Sequence, residues 1–398
     1  MGVGPEGVPF GQARAARLDL PDTDREAVPV PDVSAVGPLP DGPAGGLTDP
    51  HTYRPDEAPA PVRAAVVTDV VVVGASAGGV EALRAFAASL PVDLPAAVVV
   101  VLHIPSEAPS ALAAILGRAG PLPAVTARHG MRLEPGTIFT APADHHVLVA
   151  DGHLHLSRGP RENGHRPSID PLFRSAAVDF GPHAIGIVLS GNRDDGTAGL
   201  AVLARQGGAA LVQEPAEALY PGMPQSALEH VSGARAVPAG KLGAAIVDLL
   251  ADPPDDPVGT RADDPVDPLA AEETDVAAAV PGPQPQLELG EPSPLSCPDC
   301  DGVLFRLEGQ PEPRFRCRVG HAWSPDSLAG EQADGVEVVL WAALRALEEK
   351  AALQRWLADT AESSGRPHAA RTHRRKADRT GSEAGMLRRM LTRDLPED

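Results

Sequence analysis

The chain has 398 residues, and its 54 acidic against 34 basic side chains leave a net charge of −20. That balance excludes a general nucleic-acid binder, which carries a basic footprint. The 44 prolines and 40 glycines are too many for one compact fold, so loose segments are expected around folded parts, for which the length allows two domains.

No apolar run reaches the length of a membrane span, so no membrane insertion is expected. No basic segment leads into an apolar one near Met1, and Glu6 stands where a myristoylation signal carries Ser or Thr. A cytoplasmic protein is the expectation, and no feature sets an oligomeric state.

Residues 1–64, rich in Pro, Gly, Asp and Ala without a sustained period, are expected to form a disordered arm. Residues 65–251 alternate short β-branched runs with helical patterns, the signature of βαβ units. The expected fold class is α/β, a doubly wound, mostly parallel sheet with helices on both faces. Val70 to Ala75 reads as a first strand, and Val80, Leu83, Phe86 and Leu90 then recur at spacings of three and four, which predicts a helix. Val98 to Leu102 is a second strand. Asp170-Pro171 reads as the N-cap and first-turn proline of a helix through Leu172, Phe173 and Val178. Ile187 to Ser190 is a further strand. A helix from near Gly196 runs past Leu200 and Leu203 to Gly207-Gly208, and Ala209 to Val212 follows as a strand.

Residues 252–296 are acidic and proline-rich, with Arg261 the single basic residue, and are expected to form an extended linker. A small cysteine-bearing module follows at 297–330. Residues 331–363 read as an amphipathic helix packed within the chain, with Val336, Leu340, Ala343, Leu347, Ala351 and Ala358 as its stripe and Gln354 interrupting it. Residues 364–398 read as a basic, solvated tail around Arg371, Arg374, Arg375 and Lys376.

Gly74-Ala75-Ser76-Ala77-Gly78-Gly79 joins the first strand to the first helix. It fits G-x-S-x-G, in which small neighbours permit a sharp turn that lifts a serine hydroxyl. Three readings compete at this loop: a plain glycine-rich turn, a dinucleotide-binding loop and a nucleophile. The second weakens because Ser76 occupies the middle glycine position of G-x-G-x-x-G. The next strand also ends in His103, where a dinucleotide fold carries an acid for the ribose. Asp195 follows another strand end, within Ser190-Gly191-Asn192-Arg193-Asp194-Asp195-Gly196. In an open parallel sheet these ends face one crevice, and a serine, a histidine and a carboxylate there match a hydrolase triad. The order Ser, His, Asp disfavours an α/β-hydrolase, which runs Ser, acid, His.

Several ordered segments together carry a resemblance. They are the Gly74 to Gly79 loop, Leu102-His103-Ile104-Pro105, Ala141-Pro142-Ala143-Asp144-His145-His146, the run from Pro167 to Ser175, Leu189-Ser190-Gly191 with Asp195-Gly196, and Gly222-Met223-Pro224. Over about residues 67–250 the chain resembles the CheB-type protein-glutamate methylesterase domain, which demethylates bacterial chemoreceptors. The resemblance implies Ser76 as nucleophile, His103 as base and Asp195 as carboxylate. It places the family's further cleft histidine on His146 and oxyanion donors on the backbone of Ala77 and Asn192. It also implies a methylated helical receptor as partner, no catalytic cofactor, and a glutamine deamidase activity as a second expectation.

Two departures stand out. Ser190-Gly191-Asn192-Arg193 replaces the family's Thr-Gly-Met-Gly, so Arg193 is either solvated or a contact for an acidic substrate. The N-terminal 64 residues lack the rhythm of a phosphorylatable receiver domain, so phosphoaspartate control is not expected in this chain. A catalytically idle, zinc-containing scaffold that binds receptor helices is the alternative, and a nucleotide-binding oxidoreductase the weaker one.

The chain's three cysteines fall in Cys297-Pro298-Asp299-Cys300 and, sixteen residues on, Cys317-Arg318-Val319-Gly320-His321. C-x2-C and C-x3-H supply four donors suited to tetrahedral zinc, and a closed set points to a structural site. Val303-Leu304-Phe305 and Arg314-Phe315-Arg316 are expected to form a hairpin carrying the two pairs, with zinc substituting for a core too small to fold alone.

Overall fold

The computed structural model describes residues 67–107, 110–251, 268–278, 290–307 and 313–392. The expected N-terminal arm, 1–64, lies outside these residues, as do 252–267 and 279–289 of the expected linker.

The catalytic-type region runs β1 (Val70–Ala75), α1 (Gly79–Ser89), β2 (Ala97–Leu102), α2 (Leu112–Ala119), β3 (Ala124–Thr126) and β4 (Ile138–Thr140). A hairpin, β5 (His146–Ala150) and β6 (His153–Ser157), leads to α3 (Ile169–Phe180). Then come β7 (Ala184–Val188), α4 (Thr197–Arg205), β8 (Ala209–Gln213), α5 (Gly222–His230), β9 (Arg235–Val237) and α6 (Leu242–Ala251). Seven strands form one sheet in the order β3-β4-β2-β1-β7-β8-β9, and every pairing in it is parallel.

β1 and β2 read as unbroken valine runs because both sheet faces are covered. Val70 and Val72 point into a core with Ile169, Leu172 and Phe173 of α3 and Leu200 and Leu203 of α4. Val71 and Val73 point the other way, against Leu83 and Phe86 of α1, Leu116 of α2 and Ile246 of α6. Each such side chain contributes roughly 1.5–3 kcal/mol when fully buried. The α/β fold expected from the alternating patterns is therefore the fold observed.

The start of α3 departs from the expected cap. Ser168, extended at φ −112°, is the N-cap, and Asp170 sits inside the first turn. The reason is that both side chains are committed across the core. Ser168 Oγ donates to Asp195, and Asp170 Oδ1 accepts from the Gly199 N–H of α4 at 2.7 Å.

The segment 252–296 is not a linker throughout. It contains α7 (Pro268–Ala278), whose Ala270 joins the core beside α3. Strand β10 (Pro292–Ser296) then opens a four-stranded sheet with β11 (Val303–Leu307), β12 (Arg314–Cys317) and β13 (Ala322–Trp323). β11 and β12 pair antiparallel, as expected of the hairpin.

Buried charge explains why α7 and this ribbon lie against the larger region. Glu273 of α7 is fully buried and accepts from Arg314 Nη1 at 2.9 Å and Arg316 Nη2 at 2.8 Å, both on β12. Arg314 Nη2 also donates to Glu162 at 3.1 Å, and Glu162 accepts from Arg174 of α3 at 2.5 Å. Burial works to raise Glu273, but the three guanidiniums outweigh it and hold that carboxyl down to about 2.

The C-terminal part is a helical hairpin of α8 (Pro325–Ser363) and α9 (Pro367–Leu391), so the expected basic tail is largely a helix. Leu344, Ala351 and Ala358 of α8 and Ala370, Ala377 and Ala384 of α9 are buried at heptad spacing, with small residues that let the helices approach closely. Val336 and Ala343 of the expected stripe are exposed. Gln354 does not break the seam, because it hydrogen-bonds His373 of α9 at 2.8 Å.

Breaking a buried ion pair from one side leaves an uncompensated charge, typically at a cost of about 3–5 kcal/mol. Arg314→Met is accordingly expected to lower the stability of the chain in urea unfolding by about that amount. Glu273→Gln in the same background should recover part of it.

Candidate active site

β1 lies between β2 and β7, so the chain leaves the middle of the sheet in opposite directions at this point. Such a switch point opens a crevice beyond the strand ends. Ser76 follows β1 directly, His103 follows β2 directly, and Asp195 lies in the loop between β7 and α4. The Ser76 N–H donates to Ser190 O at 2.9 Å and the His103 N–H to Ala75 O at 3.1 Å, which ties the three strand ends together. Gly78 takes φ +67° and allows the turn from β1 into α1.

The three sequence-predicted residues meet. Ser76 Oγ lies 3.0 Å from His103 Nδ1, and His103 Nε2 lies 2.7 Å from Asp195 Oδ2. Asp195 is 2% exposed and heavily solvated by protein donors. Besides His103 it accepts from Ser168 Oγ at 2.9 Å, the Ile169 N–H at 2.8 Å and Asn163 Nδ2 at 2.9 Å. Burial alone would raise its pKa, but the hydrogen bonds, that of His103 foremost, outweigh burial and hold the carboxyl far below the usual range. Asp170, close by, goes the other way: burial, then the Asp195 charge, pushes it up to about 7.

His165 is the cleft histidine in the structure. Its ring stacks on His103 with centroids 3.7 Å apart and planes 17° apart. Burial, and then the charge of His103, hold its pKa down to about 3. His146 does not reach the cleft. It is fully buried, its Nε2 2.9 Å from Pro160 O and its Nδ1 accepting from the Ser168 N–H at 3.3 Å. It therefore steadies Ser168, one of the donors to Asp195. His165 lies two residues before Pro167, just outside the run used to place the family's motif.

The N–H groups of Ala77 and Asn192 donate to no acceptor among the described residues. The backbone at 191 runs tightly past the nucleophile: a Cβ on Gly191 would fall 2.0 Å from Met223 Sδ and 2.8 Å from Ser76 Cβ. Arg193 takes φ +63°, the region a glycine favours. Its guanidinium is neither free nor turned to the cleft, since it pairs with Glu331 at 3.1 Å and Asp334 at 2.7 Å on α8. The cleft itself, about 360 Å³, is lined by His103, Ile104, Arg161, Gly164, His165 and Arg166 among others. Leu219 is 68% and Tyr220 40% exposed, and both stand against Gly78 of the nucleophile turn.

Cys297, Cys300, Cys317 and His321 also converge, with all four donor atoms within 4.8 Å of one another. His321 Nδ1 lies 3.7 Å from Cys297 Sγ and 3.6 Å from Cys317 Sγ, and Cys300 Sγ lies 3.6 Å from Cys317 Sγ. Bonds of about 2.0–2.3 Å to a central tetrahedral zinc give donor separations close to these, so the residues fit the metal. Among the described residues no helix is long and apolar enough to cross a membrane.

Residues 71–246 match the family model of the CheB methylesterase. The chain is 46% identical over 160 residues to "Protein-glutamate methylesterase/protein-glutamine glutaminase 3" of Anaeromyxobacter dehalogenans, covering 40% of this chain and 47% of that protein. A second protein of that organism, numbered 2 under the same name, is 39% identical over 190 residues, 48% of this chain and 55% of its own length. The chain thus spans about half the length of the curated relatives it matches. The solved catalytic domain of the Thermotoga maritima CheB methylesterase is 29% identical, with a TM-score of 0.44, over 46% of this chain and 100% of that one.

A histidine with a depressed pKa binds fewer protons in the native than in the unfolded state between about 3 and 6.5, so its stabilising contribution is present above pH 6.5 and is lost as pH falls. His165→Phe keeps a ring against His103 and removes this titration. Urea unfolding at pH 7 and pH 4.5 is expected to show a smaller loss of stability in the variant than in the wild type, by about 1–3 kcal/mol.

Proposed function

We infer that this chain, which carries a CheB methylesterase domain at residues 71–246, is a protein-glutamate methylesterase that hydrolyses glutamate methyl esters on a helical chemoreceptor and releases methanol. The observation that carries the reading is the contiguous chain of hydrogen bonds from Ser76 through His103 to Asp195.

Asp195, kept ionised by its donors, accepts a hydrogen bond from the Nε2–H of neutral His103 and so leaves Nδ1 free to accept from Ser76. As Ser76 Oγ attacks the ester carbonyl, His103 Nδ1 takes its proton. The imidazolium that forms is stabilised by Asp195 and not opposed by His165, which burial keeps neutral. The N–H groups of Ala77 and Asn192, free of other acceptors, receive the oxyanion; one such donor is worth about 10²–10³ in turnover. His103 returns the proton to the leaving methoxide, and methanol departs. Water, activated by the same base, then hydrolyses the acyl-serine to free glutamate. The same attack on a glutamine carboxamide releases ammonia, and glutaminase activity is the second expected reaction.

The cleft surroundings suit a receptor helix. Leu219 and Tyr220 offer apolar contact beside the nucleophile turn, while Arg166 of the cleft is held by Asp144 and so shapes the wall. No catalytic cofactor enters this chemistry. The Cys297, Cys300, Cys317 and His321 set would hold a zinc ion whose contribution is to close the ribbon fold. A cytoplasmic location accompanies the reading.

Methanol release from a methylated receptor preparation tests it. The wild type is expected to release methanol, and Ser76→Ala and His103→Ala each to lose at least ~10⁴-fold, with the double variant little worse than either single one. Full activity in Ser76→Ala would reject the nucleophile.

A further inference from the structure

Asn163 links two parts of the molecule that the sequence keeps far apart. Its Nδ2 donates to Asp195 Oδ1 at 2.9 Å and to Asp170 Oδ2 at 3.1 Å. Its side-chain oxygen and backbone amide are engaged from the ribbon side: Oδ1 accepts from the N–H of Ser324, the residue after β13, at 2.9 Å, and its own N–H donates to Ala322 O at 2.8 Å. It is 1% exposed. The flanking backbone is fastened to the same strand, since the Ala322 N–H donates to Arg161 O at 3.2 Å, and Trp323 packs on Gly164.

The loop that carries Asp195 is held from the same side. Asp194 Oδ1 accepts from Ser324 Oγ at 2.7 Å and Ser327 Oγ at 2.6 Å, at the start of α8. Arg193 pairs with Glu331 and Asp334 one to two turns further on. Ala322 follows His321 directly, so the last of the four metal-binding donors is covalently joined to the strand that grips Asn163.

We propose that the ribbon completes the triad: Asn163, clamped by Ala322 and Ser324, is a positioning residue that sets the Asp195 carboxylate, so closure of the metal-binding knuckle governs nucleophile reactivity. The inference rests on the triad reading of Ser76, His103 and Asp195 but not on the identity of the substrate. A carboxylate with one donor removed can turn toward the others, and a displacement of about 1 Å at such a site costs on the order of 10²-fold in rate.

The test uses the full chain, zinc-loaded, and a fluorophosphonate that reacts with an activated serine. The rate constant for inactivation, its half-saturation concentration, the metal content and hydrogen exchange by peptide are read together. Asn163→Ala is expected to lower the inactivation rate constant about tenfold to a hundredfold with half-saturation unchanged and zinc retained. Cys300→Ser, an exposed donor far from Ser76 in sequence, is expected to speed exchange in residues 161–168, leave β1, β2 and β7 protected, and lower the same rate constant. The second variant decides the matter if the first does not fold. Wild-type reactivity in Asn163→Ala, or in Cys300→Ser once exchange in 161–168 has risen, overturns the proposal. Wild-type protein that is labelled at Ser76 yet releases no methanol would instead refute the methylesterase reading and leave the coupling standing.

Discussion

The buried carboxylate of Asp195 organises the molecule. An ion at 2% exposure is tolerable only if protein donors replace its water, and four side-chain or backbone groups do so from three different segments. His103 arrives from β2, Ser168 and Ile169 from the start of α3, and Asn163 from the loop that the ribbon grips. The same requirement fixes His103 with Nδ1 toward Ser76, shapes the α3 N-terminus, and gives the ribbon a place in the site.

Opposed shifts in two neighbouring carboxyls follow from this arrangement. Asp195 collects donors and stays ionised. Asp170, within the first turn of α3 and with fewer donors, is pushed up by burial and by its neighbour. Arg174, Arg314 and Arg316 offset Glu162 and Glu273 in the adjoining layer, two of those guanidiniums coming from the ribbon. The ribbon is therefore an electrostatic partner of the larger region as much as a neighbour, and the contacts of Ser324, Ser327, Glu331 and Asp334 with Arg193 and Asp194 extend the same linkage to the start of α8.

The parallel sheet and the Ser76, His103, Asp195 meeting point were legible because each residue ends or follows a β-branched run, and sheet topology sends such ends to one edge. The convergence of Cys297, Cys300, Cys317 and His321 was legible from spacing alone. His165 was not, because a single histidine before a proline carries no periodic signal and its role arises from stacking on a residue 62 positions away. Asn163 was invisible for the same reason. Helix α7 was hidden by the acidic, proline-rich composition around it; what orders it is Glu273 finding Arg314 and Arg316, a pairing that no local pattern announces. Arg193 looked like a loop arginine exposed to solvent or substrate. Its partners, Glu331 and Asp334, lie on a helix more than a hundred residues later.

The claim on which the rest depends is that Asp195 holds His103 with Nδ1 facing Ser76, and nitrogen-15 NMR of labelled histidine reads it directly. The neutral imidazole assigned to His103 through its loss in His103→Gln is predicted to carry its proton on Nε2, with a strongly downfield resonance that disappears in Asp195→Asn. A His103 protonated on Nδ1 in its neutral form, or a downfield proton indifferent to Asp195→Asn, would contradict the account.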